Sequence, residues 1–297
     1  MIRSVKNLLL RKWSLTGLAC LACLAFVALF FWMRREAQWL EVRRERLELA
    51  AWQGGKPLRI LHLSDLHASD AVPWSLLEQA GGLGLAERPD LILLTGDLVT
   101  DPNTIPDRDH YVKLLRRLSS AAPTFACLGN HDMPPVGTGQ EMPVAALLRE
   151  AGITLLRNTV GETTIQGQAV HLAGTGDLWS GDFSPELCLQ GRRGAAGLLL
   201  LLTHNPDGLE RLLPWDWDLL VCGHTHGGQL RLPLLGYRPL SPTQRHDHLA
   251  GLAPTSGGRL VETTIGVGNL HGLRFNCRPE IVILEIHAKP IAPGTGH

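Results

Sequence analysis

Hydrophobic and polar positions along this chain fall into blocks of different length. The first block is the longest: Trp13 to Met33 is a run of 21 residues without a formal charge. A helix of that length spans the roughly 30 Å hydrocarbon core of a bilayer. Trp13 and Trp32 bracket the run, as aromatic residues do at the two membrane–water interfaces. A cleaved signal peptide would have a shorter apolar part and small residues at its end. "FFWMRRE" follows instead, which favours an uncleaved transmembrane helix. Residues 34–53, "RREAQWLEVRRERLELAAWQ", read as a helix of mixed charge. It either lies on the membrane surface through Trp39, Leu40, Leu47 and Trp52 or connects through solvent.

After "GGKP" at 54–57 the blocks become short. Apolar runs at 58–67, 90–99, 123–132, 197–207 and 218–228 read as buried strands, with "ITLLRN", "RLVETTIGVG" and "PEIVILEIH" as further strands. Between them, "WSLLEQAGGLGLAERP", residues 108–120 and "VAALLREAG" have helical spacing, the last ending at Gly152 as helices commonly do. Residues 163–177 look like a hairpin. Continuous apolar strands alternating with helices imply a sheet covered on both faces. The strand-rich second half implies another sheet packed on the first. The expected fold is therefore α/β (α+β in some schemes), a two-sheet mixed β-sandwich flanked by helices. No internal repeat is evident.

Composition limits the partners. With 44% hydrophobic and 19% charged residues, the 297-residue chain is globular rather than disordered. Net charge is zero, but residues 1–53 carry nine Lys/Arg against four Asp/Glu, and the remainder nineteen against twenty-four. That mildly acidic body gives no support to nucleic-acid binding. Basic residues flank the apolar run on both sides, Arg3, Lys6, Arg11 and Lys12 before it and Arg34, Arg35, Arg43, Arg44 and Arg46 after it. The positive-inside rule is thus nearly balanced, with a cytoplasmic body preferred to a periplasmic one. Cys127, Cys188, Cys222 and Cys277 lack metal-type spacing and read as buried structural thiols.

Chemistry enters where the apolar runs stop. Five of them end in compact polar clusters: Asp65-Leu66-His67, Gly96-Asp97, Gly129-Asn130-His131-Asp132, Thr203-His204-Asn205 and Gly223-His224-Thr225-His226. Each alone is compatible with a turn or a helix cap. Together, at the carboxyl ends of strands where α/β sheets bind ligands, they suggest one site. Carboxylates, an amide and imidazoles without thiolate suit Mn²⁺, Fe or Zn²⁺. Seven such ligands are too many for one ion and enough for two. Gly96, Gly129 and Gly223 each precede a candidate ligand where the backbone turns tightly. His62 and the pair His246/His248 fit a structural reading better.

The ordered set "DLH … GD … GNHD … H … GHTH" resembles the calcineurin-like metallophosphoesterase superfamily over residues 58–287. The text around it, "GTGDLW", "HNPD" and "WDLLVCGHTHGGQLRLPL" among others, is similar to the membrane-associated phosphodiesterase branch of the YaeI/YkuE type. It is also similar to a chlamydial-type pyrophosphatase that cleaves UDP-2,3-diacylglucosamine in lipid A synthesis. The resemblance implies two divalent ions, Mn²⁺ foremost. Asp65, His67 and His226 would hold the first and Asn130, His204 and His224 the second, with Asp97 bridging. It also implies hydroxide attack in line at phosphorus, with His131 over the leaving group and Asp132 orienting His131. His271 and Arg274, near the expected site, are candidate substrate contacts, and Trp179 either lines the pocket or packs in the core. The implied layout is a basic segment 1–12, a transmembrane helix 13–33, a juxtamembrane helix or linker 34–57, the catalytic domain 58–287 and a tail 288–297. Expected partners are a bacterial inner-membrane bilayer and a phosphodiester or pyrophosphate substrate, lipid-linked or a nucleotide sugar, with no protein partner inferred. A tethered enzyme for soluble substrates and a non-catalytic metal-binding scaffold are the alternatives.

Overall fold

The computed structural model describes residues 2–133, 142–191, 197–232, 242–244 and 246–289, with backbone alone for residues 2–15 and His246. A long helix, α1 (Ile2–Glu36), opens the chain. Its Thr16–Glu36 part is long and apolar enough to cross a membrane, and Leu18, Leu21, Leu24, Phe26 and Phe31 on it face outward. Length and composition make it a candidate anchor. The Trp13 side chain lies outside the described residues.

Two six-stranded sheets follow. The first runs β1 (Glu41–Leu49), β12 (Glu280–Ala288), β2 (Leu58–Leu63), β3 (Leu91–Thr95), β4 (Thr124–Cys127) and β5 (Thr154–Leu155). In it β2, β3, β4 and β5 are parallel, joined by α2 (Trp74–Ala86), α3 (Arg108–Ala121) and α4 (Pro143–Glu150). The second runs β10 (Gly251–Pro254), β11 (Leu260–Thr263), β9 (Leu219–Cys222), β8 (Leu198–Leu202), β7 (Gln168–Gly174) and β6 (Thr159–Ile165). Its β7, β8 and β9 are parallel. Short helices α5 (Glu186–Leu189) and α6 (Leu209–Leu212) lie outside it.

The period-two geometry of strands assigns every apolar residue to a layer. Leu58, Ile60, Leu91, Leu93, Phe125 and Cys127 meet Leu198, Leu200, Leu202, Leu219 and Val221 between the sheets. Leu61, Leu63, Ile92, Leu94 and Ala126 point the other way, onto Leu77, Tyr111, Leu115 and Leu147 of the helices. On the far side Leu199, Leu201 and Leu220 pack on Phe183, Leu189, Leu209 and Trp217. Both faces of both sheets are thus covered, as their continuous apolar runs require. His62 belongs to the inner layer, fully buried, its Nε2 2.8 Å from Thr95 Oγ1; the structural reading holds. Gly152, at φ 74°, ends α4 as expected.

One element differs from the sequence reading. Residues 34–53 are not an amphipathic or connector helix: α1 stops at Glu36, and Glu41–Leu49 is strand β1, parallel to β12. The sandwich therefore begins before residue 58. Charge misled the reading, because β1 is an edge strand, where charged side chains are tolerated and useful. Leu47 and Leu49 face the inner core, while Arg43 pairs with buried Glu262 of β11 and with Glu280 at 3.1 Å, tying the two sheets together. Trp52, fully buried, donates from Nε1 to Lys56 O at 3.0 Å.

Residues 1–53 consequently contain part of the core. Their removal should abolish the cooperative unfolding transition, whereas removal of residues 2–30 should preserve it. Trp52→Ala should cost about 3–5 kcal/mol, read from denaturant unfolding of the full chain in detergent. An unchanged midpoint without residues 1–53 would show that β1 and Trp52 contribute nothing.

Candidate metal centre

Parallel strands of both sheets end on one side, and the polar clusters meet there. Asp65 and His67 follow β2, Asp97 follows β3, Asn130 and His131 follow β4, His204 follows β8, and His224 and His226 follow β9. The loops are laced together: Asp65 N donates to Gly96 O at 2.9 Å, His67 N to Asp97 O at 3.0 Å and Gly223 N to His204 O at 3.0 Å. The backbone is bent hard at the candidate ligands. Asp65, His67, Asp97, His224 and His226 have φ of 51°, 47°, 50°, 69° and 46°. Non-glycine residues avoid this region at a cost of order 1 kcal/mol each, and such strain gathers at functional sites.

The glycines beside them leave no room for a side chain. A Cβ on Gly129 would meet Asp97 Oδ1, and one on Gly223 would meet Ser64 Oγ and Asp65 Oδ2.

Two buried triads result, Asp65/His67/His226 and Asp97/His204/His224, each with ligand atoms within 4.8 Å of one another. His67 Nε2 and His226 Nε2 face each other at 3.2 Å, and His224 Nδ1 and His204 Nε2 at 3.1 Å. Asp97 Oδ2 links the triads, 3.6 Å from His67 Nε2 and 3.1 Å from His204 Nε2. Asn130 Oδ1 is buried with no hydrogen-bond partner. A buried amide oxygen left so is costly unless an ion or water meets it. Carboxylate, amide and imidazole donors fit divalent ions of borderline hardness.

Second contacts orient the rings. His204 Nδ1 donates to Thr95 O at 2.7 Å and His131 Nδ1 to Thr100 O at 2.9 Å, which leaves Nε2 of each for the site when the ring is neutral. Burial lowers His67 and His224 to about 3 and His226 well below its usual range. These rings stay neutral near pH 7, as metal ligation demands. Burial also opposes charge on His204, but the carboxylates of Asp97, Asp65 and Asp177 outweigh it and raise its pKa to about 10. Asp97 is correspondingly held low, its burial overcome chiefly by His204. Burial lifts Asp65 to about 6, with the Asp97 charge adding to it.

Two expectations need correction. Asp132 does not orient the His131 ring. It is buried and accepts from Leu98 N at 2.8 Å, Val99 N at 3.2 Å and Gly129 N at 2.9 Å, so it clamps two ligand-bearing loops together. Arg274 is not a substrate contact but a fully buried clamp, donating to the carbonyls of Cys277, Ile265, Gly266 and Gly268. His271 is an exposed turn residue whose N–H donates to Asn269 Oδ1. By contrast Trp179 does line the site, its ring edge-to-face with His224 at 4.4 Å between centroids. Cys127, Cys188, Cys222 and Cys277 are buried and take part in no disulfide, as expected. His248 is buried 3.5 Å from Asp247, and the His246 side chain lies outside the described residues. The carbonyls of Thr95 and Thr100 went unforeseen, since any residue type supplies a carbonyl.

A two-sheet fold with paired metal triads at its strand ends defines a class, and the family profile of the calcineurin-like phosphoesterases matches residues 58–228. The chain belongs to this family and is a metallophosphoesterase. It is 43% identical to phosphodiesterase YaeI of Escherichia coli (strain K12) over 251 residues, 84% of this chain and 90% of that protein. It is 29% identical to the uncharacterized metallophosphoesterase YkuE of Bacillus subtilis (strain 168), over 77% of this chain and 78% of that one. It is 24% identical to UDP-2,3-diacylglucosamine pyrophosphatase LpxG of Chlamydia trachomatis, over 78% and 84% respectively.

The close packing at Gly223 yields a test. Gly223→Ala would push on Asp65 and should weaken Mn²⁺ binding by roughly 10–100-fold, measured by titration calorimetry. Unaltered affinity in a folded variant would mean that Asp65 does not depend on this contact.

Proposed function

We propose that the two triads hold two divalent ions for hydrolysis of a phosphodiester or pyrophosphate bond, Mn²⁺ foremost and Fe or Zn²⁺ as alternatives. Asp65, His67 and His226 take the first ion. Asn130, His204 and His224 take the second. Asp97 is shared by both. The observation that carries this reading is Asp97 Oδ2, within 3.6 Å of a ring nitrogen from each triad. Bound there, two divalent ions would supply Lewis acidity toward the phosphoryl oxygens and lower the pKa of bound water to about 7.

The chain's own part is positioning and proton transfer. His131 N donates to Asp97 Oδ1 at 2.9 Å, so the segment carrying His131 is registered on the shared carboxylate. With Nδ1–H held on Thr100 O, Nε2 faces the site, and it is the imidazolium form of His131 that hands the Nε2 proton to the leaving oxygen and returns to the neutral ring. Asp97→Asn should lower hydrolysis of bis-p-nitrophenyl phosphate on the order of 100-fold or more and lower bound Mn²⁺. His131→Ala should lower kcat by a comparable factor while Mn²⁺ content holds. Full activity in Asp97→Asn would end the dinuclear reading.

The membrane helix favours a substrate at the bilayer surface, because its end is built into the wall of the site. Glu36 is buried, accepts from Cys277 N at 2.7 Å and from Trp32 Nε1 at 3.1 Å, and Arg274 N donates to Met33 O at 3.1 Å. Cys277 Sγ in turn donates to His226 O at 3.1 Å. A substrate whose phosphate reaches His226 therefore works close to where α1 ends. UDP-2,3-diacylglucosamine has the required form, and the similarity to LpxG supports it. The domain is assigned to the cytoplasmic side of a bacterial inner membrane, following the slight charge bias. The Mn²⁺-loaded chain should release UMP from UDP-2,3-diacylglucosamine in mixed micelles. Removal of residues 2–30 should slow that reaction at least about ten-fold more than hydrolysis of bis-p-nitrophenyl phosphate. Equal effects on both would favour a soluble substrate.

A further inference from the structure

Trp179 stands out among the described residues near the metal centre. A tryptophan usually buries its large ring, yet this one is 54% exposed while its ring stands nearly perpendicular to the His224 imidazole, 4.4 Å between centroids. The exposure is not slackness in the loop. After β7, Thr175 N donates to Leu202 O at 3.0 Å and Thr175 Oγ1 to Thr203 Oγ1 at 2.9 Å, next to His204. Asn158 Oδ1 accepts from Gly176 N at 2.7 Å and from Ser184 N at 3.0 Å, and its Nδ2 donates to Asp182 O at 2.6 Å. Buried Asp177 accepts from Ser180 N at 2.7 Å, closing the turn that carries Trp179. Gly176 has no space for a Cβ against Asp182 O. A hydrogen-bonded turn thus holds the half-exposed indole at the surface, directly against the candidate ligand His224.

We propose that Trp179 and its turn form a ring-binding subsite that stacks a planar aromatic group carried on the non-leaving arm of the phosphodiester, a nucleobase above all. This deepens the phosphodiesterase reading and rests on it. His224 covers part of the indole, so only its exposed part is open to a partner. A ring seated there stays joined to a phosphate at the triads by little more than a sugar. Stacking on an aromatic side chain tolerates different bases, because each has a π face, so the subsite selects nucleotides as a class.

The test keeps the leaving group constant. Thymidine 5′-p-nitrophenyl phosphate and methyl p-nitrophenyl phosphate both release p-nitrophenolate and differ in the retained arm. For the Mn²⁺-loaded full chain in detergent, the ratio of kcat/KM for the thymidine ester to that for the methyl ester should fall about ten-fold in Trp179→Ala. It should recover in Trp179→Phe. An unchanged ratio overturns the subsite, and so does a loss confined to vesicle binding, which would make Trp179 a membrane contact. Should the wild type hydrolyse neither ester, the phosphodiesterase reading fails by itself. Calorimetric affinities for UMP and methyl phosphate then decide the subsite: a ratio that falls in Trp179→Ala supports it, and an unchanged one overturns it.

Discussion

The Asp97 carboxylate is the constraint around which the rest is arranged. It is buried, its Oδ1 receives the N–H of His131, and its Oδ2 lies between His67 and His204. Burial alone would neutralise it. The neighbouring His204 ring, itself shifted up by the carboxylates around it, holds the Asp97 carboxyl low against burial. Asp65 sits in the same buried pocket and is lifted to about 6, the behaviour of a carboxylate short of positive charge. Imidazoles kept neutral by burial offer lone pairs rather than charge. Two dications held by these residues would balance the buried carboxylates and would be met by neutral imidazoles.

Such a centre demands an unyielding frame. Five of its residues occupy the left-handed backbone region, a conformation that persists only when surroundings dictate it. Here the dictation is local and multiple. Loops from β2 and β3 are zipped by backbone hydrogen bonds, Asp132 clamps the β3 and β4 loops, and Arg274 gathers four carbonyls behind Asp65. Glycines stand where loops touch ligand side chains. Strain in the ligand loops is thereby offset by hydrogen bonds and by the four-layer packing beneath them.

The two-sheet architecture and the residues of the two triads were legible because both follow short-range rules. Strand-end clusters at Asp65/His67, Asp97, His204 and His224/His226 stand directly after apolar runs, and parallel strands bring their carboxyl ends together. The misreadings arise where residue type does not reveal the partner, which is distant in sequence for β1 and for two of the three donors to Asp132 but local for Arg274. β1 looks like a charged helix until β12, more than two hundred residues later, lies beside it and Glu262 meets Arg43. Asp132 looks like a partner for its neighbour His131, but its acceptors are used by Leu98, Val99 and Gly129. Arg274 looks like an anion contact until four carbonyls claim it. Charge pattern reports residue type well and destination poorly.

The end of α1 joins these features into one mechanical unit. A freely jointed anchor would leave the helix end solvated and the sandwich free to tumble beneath the membrane. Instead Glu36 is buried at the helix terminus, where its carboxylate receives the N–H of Cys277, and the Cys277 thiol reaches the carbonyl of His226. A buried carboxylate forfeits solvation, and the hydrogen bonds to Cys277 and Trp32 return only part of it. What that arrangement secures is orientation: the helix axis and the metal triad keep a set relation through two intervening residues. Arg278 over the Trp39 ring at 3.6 Å and Glu41 N on Pro279 O at 2.9 Å continue the same seam into β1. Under the proposal of a bilayer-held substrate that set relation would have a use, because molecules held in a bilayer arrive from a single direction.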